Sequence, residues 1–217
     1  MKKYNWVPLV ISILLVGLIA VLTLLRLRRG GIWDNNAINF DMVIPTFYVL
    51  WMLIESNVSV KELSQGERTS DYGTCELYAT GQAGVILSAL WFDTLWAGPS
   101  GSHLIGVALL VSGALFRLWA IRTLGRYYSH IVRTVGDHRI ITTGPYRYIR
   151  HPSYAGMITA NAGIALFFLN WVTCVVFFCV LIPAIVLRIL VEEKTLYRIK
   201  GYHEYAGSRK RLLPAIW

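Results

Sequence analysis

The chain has 217 residues, 55% of them hydrophobic and 15% charged, with a formal net charge of +9 and a mean hydropathy of +0.51. Soluble domains carry about 25% charged residues, so an ordinary water-soluble globular protein and a disordered chain are both excluded. Three cysteines exclude a disulfide scaffold, and because the basic residues sit between apolar runs, the excess charge points to a membrane surface and not to nucleic acid.

A helix needs about 20 apolar residues to cross a bilayer core. Trp6 to Leu25 is such a run, closed by Arg26, Arg28, Arg29 and Gly30-Gly31. It is too long for the apolar core of a signal peptide, and no small-residue cleavage site follows it. Further runs are Phe40 to Asn57, with Pro45 and Glu55; Thr74 to Leu95, flanked by Trp91 and Trp96; and Gly101 to Ile121. Tryptophan at a run's end suits the membrane interface. Leu124 to Arg150 is polar, aromatic and arginine-rich, broken by Gly125, Gly136 and Gly144-Pro145. Tyr154 to Leu169 and Val172 to Val191 are apolar again, the second holding Pro183. Because Asn170-Trp171 alone separates them, they are predicted to form a tight helical hairpin. The charged tail, Glu192 to Trp217, is predicted to begin as a helix continuing the last span.

The expected fold is all-α, a polytopic membrane bundle of about six spans. N-terminal transmembrane helices occupy 1–100. A core follows over 101–217, divided into a loop 122–153, the hairpin 154–191 and the tail 192–217. Seven arginines lie between Arg117 and Arg150, with Asp137 the sole acid, and the tail adds Lys194, Arg198, Lys200, Arg209, Lys210 and Arg211. By the positive-inside rule, loop, tail and both termini face the cytoplasm, which leaves Arg26, Arg28 and Arg29 outside as a violation. No small-xxx-small face or polar seam marks an oligomer contact.

The chemistry-bearing stretch runs from Thr142 to Gly156 and holds Gly144-Pro145, Arg150, His151, Pro152, Ser153 and three tyrosines at the entry of a membrane helix. Pro152 fits the first turn, where its missing N–H is harmless. A helix N-terminus suits an anion such as a carboxylate. The plainer reading of any one of these residues is an interface anchor, since Arg and Tyr snorkel. Arg188 and Glu192, four apart, share a helix face at the cytoplasmic end of the last span. At that depth an ionisable pair is either a structural ion pair or part of a site. An arginine can clamp a carboxylate, and a carboxylate can accept from a ribose diol. The histidines lack metal-ligand spacing, and no phosphate-binding glycine motif is present, so neither a metal nor a soluble-type nucleotide fold is expected.

Leu124-Gly125-Arg126-Tyr127-Tyr128, then Asp137 to Tyr146, then Arg150-His151-Pro152-Ser153-Tyr154, then Glu192-Glu193 and Arg211-Leu212-Leu213-Pro214 resemble the isoprenylcysteine carboxyl methyltransferase family. Arg-His-Pro-x-Tyr alone also occurs in phospholipid methyltransferases and membrane sterol reductases; the ordered set with the Glu pair is the specific part. Glu67 to Gly73 is a weaker echo. The resemblance implies an integral membrane methyltransferase with a cytoplasmic S-adenosylmethionine pocket, closed by loop and tail, and a lipophilic or prenylated acceptor arriving from the bilayer lipids. By position, His138, Arg139, Ile140 and Ile141 would line the adenine. Tyr146, His151, Pro152, Ser153 and Tyr154 would hold the ribose and amino-acid parts. Glu192 would bind the ribose or amino group, and Arg188 would orient the acceptor carboxylate. A carboxylate acceptor is already ionised near pH 7, so no strong base is expected. A nitrogen, sulfur or phenolic acceptor would call on Tyr154 or His151. The competing functions are a phospholipid N-methyltransferase, an NADPH-dependent membrane reductase, and a non-enzymatic membrane protein.

Overall fold

The computed structural model describes residues 7–29, 40–62, 67–68, 73–96, 101–128, 133–134, 140–214 and 217. Six long helices follow the apolar runs: α1 Val7–Arg28, α2 Phe40–Glu62, α3 Thr74–Trp91, α4 Gly101–Leu124, α5 Pro152–Phe168 and α6 Trp171–Leu196. A short helix, α7 Tyr202–Gly207, lies in the tail. Two-residue strands, β1 Glu67–Arg68 and β2 Arg133–Thr134, pair antiparallel and tie the loop before α3 to the loop before α5.

Three stretches are long and apolar enough to cross a membrane, Val10–Arg28, Gly101–Leu124 and Trp171–Leu196, and Met42–Glu55 is a shorter apolar helix. The chain is an integral membrane protein, and its described residues are mainly helical. The remaining expected spans are helices too, but shorter or more polar. α5 has 17 residues, and α3 includes Thr74, Glu76 and Gln82.

The tightest packing joins α4 to α5. Gly106 and Gly113 on α4 face Gly163 and Gly156 on α5, one heptad apart on each helix. A Cβ on Gly156 would lie 2.7 Å from the backbone nitrogen of Arg117, and one on Gly106 would lie 2.9 Å from the Gly163 carbonyl oxygen. A Cβ on Gly113 would collide with the Ala160 nitrogen. Only glycine permits this backbone contact, which is how membrane helices associate without a hydrophobic driving force. The Leu169-Asn170 turn between α5 and α6 is tight, as expected. Yet α5 packs far more extensively on α4 than on α6, because its small residues face α4.

α6 starts where Asn170 caps it, its Oδ1 accepting from the Thr173 N–H at 2.8 Å. Over Val176–Leu181 the helix widens by one residue per turn, and the Ile182 N–H donates to the Phe177 carbonyl. Pro183 follows directly; it has no N–H to give and its ring needs room, which a wide turn supplies. α3 lies against this turn, with a Cβ on Gly81 placed 3.1 Å from Leu181 Cα.

The C-terminal ends of α1, α3 and α5 meet at one end of the bundle. Arg26, 7% exposed, donates to the carbonyls of Ala89 and Phe92 at 3.3 and 3.0 Å and lies 5.0 Å over the Phe168 ring. Arg29 donates to the Trp91 carbonyl at 3.4 Å and stacks on the Trp91 ring. Both therefore cap the negative end of α3. Two of the three arginines that violate the loop-charge rule, Arg26 and Arg29, are thus engaged in helix packing.

Candidate active site at the α5 entry

Successive residues of a helix point about 100° apart, and the entry of α5 uses this to reach both α4 and α6. Pro152 is its first residue and is buried, and His151 precedes it. His151 turns its Nε2 to Glu193 Oε1 at 3.2 Å. Ser153 turns to α4, its Oγ accepting from Arg117 Nη1 at 2.7 Å. Tyr154 turns to α6, donating from its hydroxyl to Glu192 Oε2 at 2.8 Å.

Glu193 is the hub of one cluster. Its Oε1 also meets Arg150 Nη1 at 2.9 Å, and its Oε2 accepts from Arg211 Nε at 2.8 Å; its side chain is 3% exposed. The tail is laced to the same place. The Arg150 N–H donates to the Lys210 carbonyl and the His151 N–H to the Arg211 carbonyl, both at 2.9 Å, and Ile149 and Lys210 form a parallel bridge. One buried carboxylate thus joins the α5 entry, the end of α6 and the tail. This is what brings sequence-distant Arg150 and Arg211 together.

Glu192 looks the other way. Tyr154 bridges it to Arg188, whose Nε donates to the Tyr154 hydroxyl at 3.2 Å. Arg188 Nη1 in turn donates to Thr74 Oγ1 at the start of α3, at 3.1 Å. Arg188 is 2% exposed, and Glu192 is half-buried. The two residues expected to share a helix face are therefore linked through a phenol on another helix. Glu192 Oε1 accepts nothing from the described residues.

A second buried ion pair lies beside Ser153. Arg117 Nε and Nη2 grip Glu55 Oε1 and Oε2 at 2.6 and 2.8 Å, and Nη2 also donates to the Tyr128 hydroxyl at 3.2 Å. The glycine seam makes this possible, since Gly156 brings α5 against the Arg117 backbone. Sequence reasoning counted Arg117 among the loop arginines and passed over Glu55. An ionisable residue inside each of two apolar runs was the signal that could have found them.

The loop residues divide. Ile140 packs on the Tyr202–Tyr205 cluster, and Ile141 is half-buried; His138 and Arg139 lie outside the described residues. Tyr146 is buried in a tight turn over Gly144–Arg147, entered by Gly144 at φ 56°. Its carbonyl accepts from the Tyr205 hydroxyl at 2.9 Å. Burial first, and the charge of Glu192 second, hold the Tyr146 phenol well above its ordinary pKa range. Burial likewise pushes Tyr205 up to about 12. Among the described residues, no three or more of His, Cys, Asp and Glu gather as a metal site.

Residues 105–198 match the family model described as "Isoprenylcysteine carboxyl methyltransferase (ICMT) family". The chain is 40% identical over 108 residues to a Saccharomyces cerevisiae protein-S-isoprenylcysteine O-methyltransferase, covering 48% of this chain and 45% of that one. It is 35% identical over 115 residues to the Arabidopsis thaliana protein-S-isoprenylcysteine O-methyltransferase A, covering 51% and 58%. An uncharacterized Bacillus subtilis protein is 31% identical over 104 residues, covering 47% and 62%. The chain thus spans about half the length of the curated relatives it matches. A solved eukaryotic intramembrane Ras methyltransferase superposes over 82% of this chain and 64% of its own, with 18% identity and a TM-score of 0.49. The matched segment contains the α5 entry, Arg188 and both glutamates of the site, and it is this segment that carries the pattern of the isoprenylcysteine carboxyl methyltransferase family.

Proposed function

We propose that the chain is an integral membrane S-adenosylmethionine-dependent methyltransferase whose acceptor is the carboxylate of a lipophilic, isoprenylcysteine-like molecule. The observation that carries this reading is the Arg188–Tyr154–Glu192 chain, a buried guanidinium and a half-buried carboxylate joined by one phenol within the segment that matches the family.

The residues fit the cofactor. Glu192 keeps Oε1 for a hydrogen-bond donor, which suits an amino group or a ribose hydroxyl. Tyr146 and Tyr154 would flank it, and by the resemblance His138, Arg139, Ile140 and Ile141 would line the adenine. His151 and Ser153 act by position: Glu193 fixes the first and Arg117 the second, and with Pro152 they set the angle at which Tyr154 enters. When bound, S-adenosylmethionine supplies a methyl group activated on a sulfonium for in-line transfer. Arg188 would bind the acceptor carboxylate through charge-assisted hydrogen bonds. Approach geometry and exclusion of water then do the catalytic work.

The Tyr154 O–H donates to Glu192, and His151 Nε2 meets Glu193. An ionised carboxylate acceptor has no proton to give, so it calls on neither residue as a base. The Arg- and Lys-rich loop and tail support a cytoplasmic site.

Calorimetry of S-adenosylhomocysteine with detergent-purified protein tests the reading. Saturable binding to the wild type and loss of at least about tenfold in Glu192→Gln are expected, since a charged hydrogen bond is worth about 1.5–3 kcal/mol. Arg188→Ala is expected to bind the cofactor normally and lose methyl transfer. A folded wild type that binds no S-adenosylhomocysteine overturns the proposal.

A further inference from the structure

α3 brings a second phenol to this site. Tyr78 lies one turn beyond Thr74 on the same face of α3, and Thr74 is the residue that receives Arg188 Nη1. Tyr78 is 8% exposed. Its ring meets the Tyr154 ring edge-on, centroids 6.1 Å apart. Arg117, Glu55 and Arg188 all act on it electrostatically, yet its hydroxyl has no hydrogen-bond partner among the described residues. Tyr154 differs: its hydroxyl already donates to Glu192 and accepts from Arg188.

A buried hydroxyl with no partner costs free energy that a phenylalanine in its place avoids. Packing against Tyr154 needs only the ring. The hydroxyl therefore calls for a partner that arrives with a ligand. Position narrows the choice. α3 runs inward from Thr74, so Tyr78 lies on the apolar side of the Thr74–Arg188 contact. The next turn closes with Gly81 against the Leu181 backbone. An acceptor whose carboxylate meets Arg188 and whose apolar body extends into the bilayer comes alongside this phenol.

We infer that Tyr78 is an acceptor-binding residue, its phenol donating a hydrogen bond to the carboxylate that Arg188 orients. This rests on the proposed carboxyl methyltransferase reading for the identity of the ligand. Both the guanidinium and the O–H favour the ionised acid over a neutral ester, so the pair also favours release of the methylated product.

The test is Tyr78→Phe, which keeps the ring and the packing. Binding of N-acetyl-S-farnesylcysteine and of its methyl ester is measured by calorimetry on the full chain in detergent, with S-adenosylhomocysteine binding, thermal midpoint and methyl-transfer KM alongside. The free acid is expected to bind about tenfold more weakly to the variant, as for loss of a hydrogen bond to a charged group. Ester and S-adenosylhomocysteine affinities stay within about twofold, and the thermal midpoint does not fall. Unchanged acid binding overturns the proposal, as does an equal loss for acid and ester with a lowered midpoint, or a wild type that binds no acid. If the wild type transfers methyl groups and Tyr78→Phe keeps its KM, the enzyme reading stands and Tyr78 is excluded. If acid binding depends on Tyr78 but no methyl group is transferred, the acid site stands and the methyltransferase reading falls.

Discussion

The two ends of the bundle use arginine differently. At the end where α1, α3 and α5 finish, Arg26 and Arg29 donate to backbone carbonyls and lie over Phe168 and Trp91. At the other end, Arg117 grips Glu55, Arg150 and Arg211 grip Glu193, and Arg188 reaches a phenol that holds Glu192. The first end satisfies cations with helix dipoles and ring faces, an arrangement that packs helices. The second gathers carboxylates as well, and one of these, Glu192, has an oxygen that no described residue meets. A buried arginine is therefore not by itself a sign of a site; a half-buried carboxylate with an oxygen left over is the better one.

Adjacent glutamates give the sharpest way to break this distinction. Glu193→Gln leaves Arg150, His151 and Arg211 facing a neutral amide, and removing one partner of a buried ion pair costs about 3–5 kcal/mol. We expect the thermal midpoint in detergent to collapse and the tail to become protease-sensitive. Glu192→Gln is expected to shift stability by no more than about 0.5 kcal/mol while weakening S-adenosylhomocysteine binding at least about tenfold. If the two variants melt alike, the division of labour is wrong.

The Arg117–Glu55 pair comes next. Arg117→Lys keeps the charge but loses the fork that holds both carboxylate oxygens and Ser153, with an expected loss of about 2–3 kcal/mol. Replacing both members with apolar residues of similar volume is expected to restore much of the stability but not the cofactor affinity, because Ser153 loses its anchor. A double-mutant cycle on thermal midpoint and binding separates these effects.

A smaller loss is expected at the seam. Gly113→Ala drives a methyl into the Ala160 backbone and costs about 1–3 kcal/mol, whereas Gly17→Ala, with nothing within 4 Å, changes the midpoint little. At the opposite end, Arg26→Met removes a helix-end cation worth about 0.3–1 kcal/mol when exposed and up to about 2 when partly buried. Its midpoint should fall without any change in ligand affinity.

The smallest effect is alkaline. The Tyr205 phenol, held at about 12 by burial, stays protonated after the unfolded chain begins to lose its tyrosine protons near pH 10. Its contribution is complete below pH 10 and disappears as the pH rises through about 12. A Tyr205→Phe melt series from pH 9 upward should lose that part of the decline.

Much of this was legible beforehand. Apolar run length set the helices, and the short Asn170-Trp171 break between two apolar runs marked the turn into α6. The Pro152 entry was readable because proline suits a first helical turn. The glycine seam is hard to read because its glycines recur at seven residues, Gly106 to Gly113 and Gly156 to Gly163, and not at the four-residue spacing of a small-xxx-small face. Glu55 and Arg117 were hidden because pairing across three helices leaves no mark on local spacing. The different duties of Glu192 and Glu193 follow from the 100° between neighbouring helical residues, and their identical chemistry gives no hint of it. The bond from Arg117 to Ser153 is equally invisible in local spacing.

The wide turn at Val176–Leu181 sets the phase of everything that follows it. One additional residue in a helical turn rotates the downstream segment by about 100° relative to an unbroken helix. Arg188 faces α3, and Glu192 faces α5, in that rotated frame. Removing one residue from the turn would leave every downstream side chain chemically intact and swing the pair off its partners. The site is thus encoded partly as an angle, stored in a stretch of apolar residues that contributes no functional group to it.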